Sequence, residues 1–256
     1  MLGLFDSGLG GLTVVKRVRA LLPEHALLFL ADQAHVPYGD RAPDDLHRLL
    51  VRNVRWLDEQ GADAIVMACN TSCAIAGEYG YPEVRAPILD LIESAAIAIH
   101  DAGYRRVGVL ATAATVNTGA YAKKIRAAAS GVRVDEVAAP ALVPLVEAGL
   151  IDADQTRQAV AEACERLPRD LDAVILACTH YPVLDAHFAA ILGAGVARID
   201  PAIEQAGRTA ALVAARAIPP GTGRTRYVTT GDVDAFRASV GRLTDGDADA
   251  IETAAP

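Results

Sequence analysis

Residues 62–72 read Ala-Asp-Ala-Ile-Val-Met-Ala-Cys-Asn-Thr-Ser, and the organisation of the chain follows from this segment. Its apolar, partly β-branched run predicts a buried strand that stops at Cys69, and the polar residues after it predict a helix start. Residues 171–180 repeat the pattern as Leu-Asp-Ala-Val-Ile-Leu-Ala-Cys-Thr-His, with Cys178 at a distance of 109 positions from Cys69. Two cysteines therefore occupy equivalent ends of two similar predicted strands.

A second pair of similar segments supports an internal repeat. Residues 2–7, Leu-Gly-Leu-Phe-Asp-Ser, resemble residues 107–112, Val-Gly-Val-Leu-Ala-Thr, at an offset of 105 positions. Elsewhere short apolar runs alternate with amphipathic segments, which is typical of parallel sheets covered by helices. We therefore predict an α/β fold of two pseudo-symmetric domains, each a mainly parallel sheet flanked by helices. Ligands of such sheets bind at the carboxyl ends of the strands, where both cysteines are expected.

Local patterns give further predictions along the chain. The segment from residue 32 to residue 43 has turn chemistry and no periodicity, which predicts a surface loop over the strand ends. Residues 119–129 have the apolar spacing of one helix, and residues 226–229 that of a last strand followed by a helix. Each of the two cysteines is expected directly before a helix start, where the helix dipole favours a thiolate.

The bulk composition restricts the function classes. A chain of 256 residues is near the length at which one core gives way to two domains. The net charge of −8 comes without a basic stripe, which argues against nucleic-acid binding. We expect no signal peptide and no membrane span, because no basic leader precedes the first predicted strand and the apolar runs are short. A cytoplasmic location with four reduced cysteines follows.

Other site chemistries fit the sequence less well. Cys73 and Cys164 are expected to be core residues, and the spacing of Cys69 and Cys73 does not match the usual metal or redox motifs, so no metal is expected. Gly-x-Gly at residues 8–10 approaches a dinucleotide fingerprint, but position 13, where the third glycine would stand, is Thr13. No lysine stands in any of the motifs, so a pyridoxal Schiff base is not indicated.

Five motifs together resemble the glutamate racemases of the aspartate/glutamate racemase superfamily. They are Phe-Asp-Ser-Gly-Leu-Gly-Gly at 5–11, Pro-Tyr-Gly at 37–39, Ala-Cys-Asn-Thr at 68–71, Val-Pro-Leu-Val-Glu at 143–147 and Cys-Thr-His-Tyr-Pro at 178–182. The resemblance implies a cofactor-independent enzyme that interconverts L- and D-glutamate and supplies D-glutamate for peptidoglycan. It also implies two domains with the active site between them, with boundaries placed at 1–95 plus 208–256 and at 96–207. A homodimer is among the expectations.

Carried over by position, the resemblance also assigns roles to residues. Cys69 and Cys178 would be the acid/base thiols, with Asp6 near the first, and with His180, supported by Glu147, near the second. The implied substrate contacts are Asp6, Ser7, Tyr38, Gly39, Asn70, Thr71, Thr112, Thr115, Thr179 and His180.

The chemistry of racemisation fits these residue types. Inverting a Cα centre requires removal of a proton from one face and delivery of a proton to the other, which two acid/base groups on opposite sides of a pocket achieve. Hydroxyls, the Asn70 amide and backbone N–H groups at helix starts would hold the carboxylate and ammonium groups of the substrate.

The preference for glutamate rests mainly on His180. A racemase of aspartate or another amino acid, or a weakly active binding protein of the gyrase-inhibitor type, stays open.

Overall fold

A computed structural model describes residues 1–244, 251–254 and 256. The strands are β1 (Leu2–Asp6), β2 (Leu27–Ala31), β3 (Ala64–Met67), β4 (Ile88–Leu89), β5 (Arg106–Ala111), β6 (Arg133–Ala138), β7 (Ala173–Ala177), β8 (Ala197–Ile199), β9 (Thr225–Thr229) and β10 (Ile251–Thr253). The helices are α1 (Leu12–Leu21), α2 (Pro43–Glu59), α3 (Asn70–Tyr79), α4 (Leu91–Ala102), α5 (Ala113–Thr118), α6 (Ala120–Ala128), α7 (Leu142–Glu147), α8 (Asp154–Glu165), α9 (Asp185–Leu192), α10 (Pro201–Ala215) and α11 (Val233–Leu243). Short 3₁₀ turns cover Gln33–His35, Tyr38–Asp40 and Tyr181–Leu184.

The described strands form a six-stranded and a four-stranded sheet, and four strands of the first have the same order as the four strands of the second. One sheet has the order β10-β9-β2-β1-β3-β4 and the other β6-β5-β7-β8, and every strand pair among the described residues is parallel. Matching the orders pairs β1 with β5 and β3 with β7, which are the strands whose sequences repeat. β1, β3 and β7 are buried along their whole length, as their continuous apolar runs require. The predicted pseudo-symmetric α/β fold is confirmed.

The end of the chain returns to the first sheet. β9 lies beside β2 in a register that runs from Thr225 opposite Leu27 to Thr229 opposite Ala31, and β10 forms the edge beyond it. The larger sheet is thus built from residues 2–89 and 225–253, and the smaller one from residues 106–199. α4 packs against both α10 and α6, where the two parts of the chain meet. The domain boundaries at residues 95 and 207 stay a prediction.

The segment between β2 and α2 is more ordered than the predicted surface loop. It contains two 3₁₀ turns and buries the side chains of Asp32 and Tyr38. The Asp32 carboxylate accepts hydrogen bonds from the Tyr38 hydroxyl at 2.5 Å and the Thr230 hydroxyl at 2.9 Å, and it pairs with Arg52 at 2.8 Å. Burial alone would raise the pKa of Asp32, but these partners hold it below its usual value. The segment is therefore fixed by a buried carboxylate, a feature that local propensity does not reveal.

Two short elements, α5 and β10, were not predicted. The helix predicted at 119–129 is confirmed as α6, and Gly119, with a φ of 62°, ends α5 and begins α6. The Thr112 side chain starts α5 by accepting the Thr115 N–H, an N-cap that the apolar spacing alone did not indicate. The edge strand β10 was also absent from the prediction. No helix among the described residues combines the length and apolarity that crossing a bilayer would require.

Candidate active site

One pocket lies where the carboxyl ends of the two sheets face each other. Its free space is about 570 Å³, including the open mouth. It is lined by residues that follow β1, β3, β5 and β7, together with the segment after β2 and the start of α7. The lining residues are Asp6, Ser7, Val36, Pro37, Tyr38, Gly39, Asp40, Cys69, Asn70, Thr71, Thr112, Pro140, Val143, Pro144, Cys178, Thr179 and His180.

Cys69 enters the pocket from the first sheet as the N-cap of α3. Its Sγ accepts the Ser72 N–H at 3.5 Å, and its thiol donates to the Ser7 hydroxyl at 3.7 Å. Burial and the neighbouring charge of Asp6 raise the pKa of Cys69 to about 12, although Ser72 and Ser7 act in the opposite direction. This environment favours the protonated thiol over the thiolate.

Asp6 lies at the end of β1 beneath the glycine loop of residues 8–11. Its Oδ2 accepts the Gly11 N–H at 2.6 Å and the Gly8 N–H at 3.3 Å. Burial raises the pKa of Asp6 to about 6, even though the positive charge of His180 and these backbone donors lower it. A side chain at position 11 would collide with Asp6 and approach Phe29 to 2.8 Å, so the loop needs Gly11 to wrap the carboxylate.

Cys178 enters the pocket from the second sheet, directly after β7. Its Sγ lies 3.6 Å from His180 Nδ1, and His180 Nε2 lies 2.5 Å from Glu147 Oε1. Burial by itself lowers the pKa of His180, but its hydrogen bonds with Cys178 and Glu147 raise it well above its ordinary value. A protonated His180 donates to both partners, so it stabilises negative charge on Cys178.

The helix start predicted after Cys178 is wrong in detail. Residues after Cys178 enter a 3₁₀ turn at Tyr181–Leu184, and α9 begins only at Asp185. The predicted α-helix N-terminus is therefore present at Cys69 and displaced at Cys178. At the second cysteine the positive charge comes from His180 instead.

Three threonines join the two halves beside the pocket. Thr112 Oγ1 lies 3.0 Å from Thr71 Oγ1 and 2.9 Å from Thr115 Oγ1. Thr71 belongs to α3 of the first half, whereas Thr112 and Thr115 belong to the turn and helix that follow β5. Next to them, Tyr121 donates a hydrogen bond to Asn70 Oδ1, which leaves the amide nitrogen of Asn70 as its donor end.

Comparison with known proteins assigns the chain to a family. A family model described as Asp/Glu/Hydantoin racemase matches residues 12–218. The chain belongs to this racemase family. The glutamate racemase of Desulforudis audaxviator (strain MP104C) is 42% identical to it over 253 residues, which cover 94% of this chain and 92% of the relative. A glutamate racemase of Thermus thermophilus is 40% identical, with coverage of 94% and 91%.

Solved structures agree with this assignment to the racemase family. A Thermus thermophilus glutamate racemase in complex with beta-chloro-D-alanine matches with a TM-score of 0.89 at 38% identity, covering 99% of this chain and 96% of that chain. A Francisella tularensis glutamate racemase in complex with D-glutamate matches with a TM-score of 0.89 at 27% identity, covering 99% and 97%. The resemblance seen in the sequence motifs is thereby confirmed.

The structure of this racemase-family chain brings nearly all the predicted site residues into one pocket. Two of them do not line it: Thr115 lies behind Thr112, and Glu147 lies behind His180. Tyr38 lines the pocket, but its hydroxyl is turned to Asp32. Their catalytic and binding roles stay predictions.

Several apolar lining residues were missing from the predicted site. Pro37, Val143 and Pro144 stood inside the quoted motifs without being assigned a contact, and Pro140 carries no signal in the sequence. Among the described residues, no group of three or more His, Cys, Asp or Glu side chains is arranged to hold a metal ion. The expected independence of metal and cofactor stays a prediction.

Proposed function

We propose that this chain is a glutamate racemase that interconverts L- and D-glutamate through its two pocket cysteines, without a cofactor. The observation that carries the proposal is the entry of Cys69 and Cys178 into one pocket from equivalent strands of two similar sheets. The names of the relatives support glutamate as the substrate. The D-glutamate formed would supply peptidoglycan synthesis.

In the proposed reaction one proton is exchanged at Cα. With Cys178 as the thiolate beside protonated His180, its Sγ removes the α-proton from one face, and the Cys69 thiol delivers its own proton to the other face. Cys178 is then a thiol and Cys69 a thiolate, and the reverse reaction runs from that state. The different neighbours of the two sulfurs suit this division into one base and one acid.

The remaining pocket residues would bind the two ends of the substrate. The hydroxyls of Ser7, Thr71 and Thr179 and the amide of Asn70 would donate to its carboxylates, together with backbone N–H groups at helix starts. The ring of Tyr38 and the backbone at Gly39 would close the opposite wall. Thr115 would act through Thr112, and Glu147 would keep His180 protonated.

Circular dichroism of L- and of D-glutamate with purified protein and no added cofactor tests the proposal. Both solutions should approach the same racemic end point, and dialysis against a chelator should not change the rate. Aspartate as substrate tests the related alternative. A protein that leaves all these solutions unchanged would favour a binding role and would sink the proposal.

Single serine variants of the two cysteines test the mechanism. Cys69→Ser and Cys178→Ser should each abolish racemisation, because each direction uses both sulfurs and a hydroxyl is a much weaker base than a thiolate. A glutamate with a β leaving group needs only abstraction, so each variant should retain elimination with one enantiomer, and the two variants should prefer opposite enantiomers. Cys164→Ala, a buried cysteine outside the pocket, is the matched control and should racemise normally. A shared enantiomer preference would require a single-base mechanism.

Assembly and location belong to the same proposal. A homodimer and a cytoplasmic location are both expected for a small biosynthetic enzyme of this family. Sedimentation of the purified protein at several concentrations tests the dimer, and a single monomeric species throughout would contradict it.

A further inference from the structure

The hydroxyl of Ser72 is an exception in the interior of this protein. Ser72 is 0% exposed, and its Oγ has no hydrogen-bond partner within the described part of the chain. Buried polar atoms are nearly always hydrogen-bonded, because an unpaired one costs about 1–3 kcal/mol. A serine retained at such a position needs a reason other than the packing of α3.

The position of Ser72 relative to Cys69 supplies that reason. Cys69 is the N-cap of α3 and Ser72 is the third residue of the helix, so the Ser72 N–H already donates to Cys69 Sγ at 3.5 Å. In the capping-box arrangement, the side chain at this third position reaches back toward the N-cap residue. The Ser72 side chain is therefore one helical turn from the sulfur that is proposed to exchange a proton.

The electrostatics at Cys69 agree with this placement. Burial and Asp6 raise the pKa of Cys69, and Ser72 is first among the groups that lower it. The other titratable neighbours that interact with Cys69 are Tyr38 from the segment after β2 and Cys73 from α3 itself. Cys178 and His180 line the same pocket from the second sheet.

We propose that Ser72 is a further catalytic residue, whose hydroxyl donates a hydrogen bond to Cys69 Sγ whenever that sulfur is a thiolate. The inference rests on the proposed two-thiol reaction. While Cys69 is a thiol, the Ser72 hydroxyl has little to bond. When Cys69 delivers its proton to Cα, the sulfur becomes negative and receives both the N–H and the O–H of Ser72. The same contact holds the thiolate ready to remove a proton in the reverse direction.

The test isolates one sulfur at a time. In the Cys178→Ser background only Cys69 can abstract a proton, so elimination from a glutamate with a β leaving group reports on Cys69 alone. Adding Ser72→Ala there should raise the apparent pKa of the elimination rate by about one unit. At pH values below that pKa, the elimination rate should therefore fall about tenfold. In the Cys69→Ser background, where Cys178 abstracts, adding Ser72→Ala should leave the pH profile of elimination where it was.

Stability separates this role from a structural one. Ser72→Ala removes an unpaired buried hydroxyl and introduces a better helix former, so the urea midpoint should stay the same or rise. An unshifted Cys69 profile, or equal shifts in both backgrounds, would overturn the inference. If the Cys178→Ser parent eliminates neither enantiomer, the proposed function itself fails, and that outcome is recognised before Ser72 is changed.

Discussion

At the scale of residues, the two pocket cysteines have electrostatically opposite neighbours. Asp6 places a carboxylate near Cys69 and disfavours the thiolate there, whereas His180 Nδ1 lies 3.6 Å from Cys178 Sγ. The repeated strands place the two sulfurs at equivalent positions, but the residues around them do not repeat. A pseudo-symmetric fold thus presents an asymmetric acid/base pair.

Replacing these neighbours should affect the two directions differently. Asp6→Asn and His180→Asn should each lower kcat, by roughly 10²–10⁴-fold at most, and unequally for L- and D-glutamate, because each side chain acts on one sulfur. The ratio of kcat/KM values is fixed by the equilibrium constant, so kcat in each direction is the quantity to measure. His187→Asn, the same change outside the pocket, is the control. Equal losses in both directions for both variants would contradict the assignment.

Asp6 should also make stability depend on pH. Its folded-state pKa of about 6 lies above the ordinary value near 3.8, so the folded protein keeps this proton after the unfolded chain has lost it. The stability that Asp6 contributes is therefore full below about pH 4 and is lost as the pH rises through about 6. Relative to Asp6→Asn, the wild type should lose about 2 kcal/mol between pH 4 and pH 7. Urea unfolding of both proteins measures this, and a pH-independent difference would refute it.

At the scale of elements, the glycine loop of residues 8–11 connects the two halves of the site. Its Leu9 N–H donates to Glu147 Oε1 at 3.3 Å, the same oxygen that His180 approaches. A Cβ on Gly10 would overlap the Thr179 hydroxyl and lie 2.7 Å from His180 Nδ1. The loop therefore fits against the second cysteine's neighbours only while position 10 lacks a side chain.

Gly10→Ala should lower activity through this contact. The added methyl must displace Thr179 or His180, and a displacement near 1 Å at a reacting group can cost on the order of 10²-fold in rate. Gly207→Ala is the matched control, because Gly207 lies in α10 with open space around it and a helical alanine is favoured there. Racemisation rates of the two variants decide the matter. A fully active Gly10→Ala would show that the loop is free to move away.

At the scale of the whole molecule, the C-terminal part of the chain supports the pocket from outside. Among the described residues, it contributes none of those that line the pocket. β9 pairs along the whole of β2, and Thr230, directly after it, donates to Asp32 and accepts the Ala34 N–H at 3.0 Å. The same carboxylate holds Tyr38, which lines the pocket. The segment that forms one pocket wall is therefore fixed by a residue 198 positions later in the sequence.

Truncation should expose this dependence. A chain that ends at Ile218 lacks β9 and Thr230, so it should leave β2 as an unpaired edge, expose its apolar face and lose racemisation together with solubility. A chain that ends at Thr244 keeps β9 and α11 and should remain soluble and active. Solubility and circular-dichroism assays of the two proteins test this. An active protein ending at Ile218 would show that the first sheet does not need its returning strand.

How far the sequence predicted the structure differs between elements. The two repeated strands predicted before Cys69 and Cys178 are confirmed as β3 and β7, because continuous apolar runs bounded by turn residues have few other stable conformations. The short helix α5 was missed, because its start depends on the Thr112 side chain, which accepts the Thr115 N–H, and not on apolar spacing. The ordered segment after β2 was missed because its anchors, Arg52 and Thr230, are distant in the sequence.

The sequence by itself determined the repeat, the parallel sheets and the presence of two cysteines at equivalent strand ends, because these follow from local hydrophobic patterns and their spacing. Only the tertiary structure decided how deeply Asp6 and His180 are buried beside the two sulfurs, and that Ser72 lies buried beside Cys69. The first set depends on contacts within short segments. The second depends on long-range packing, which fixes the distances and burial that control protonation.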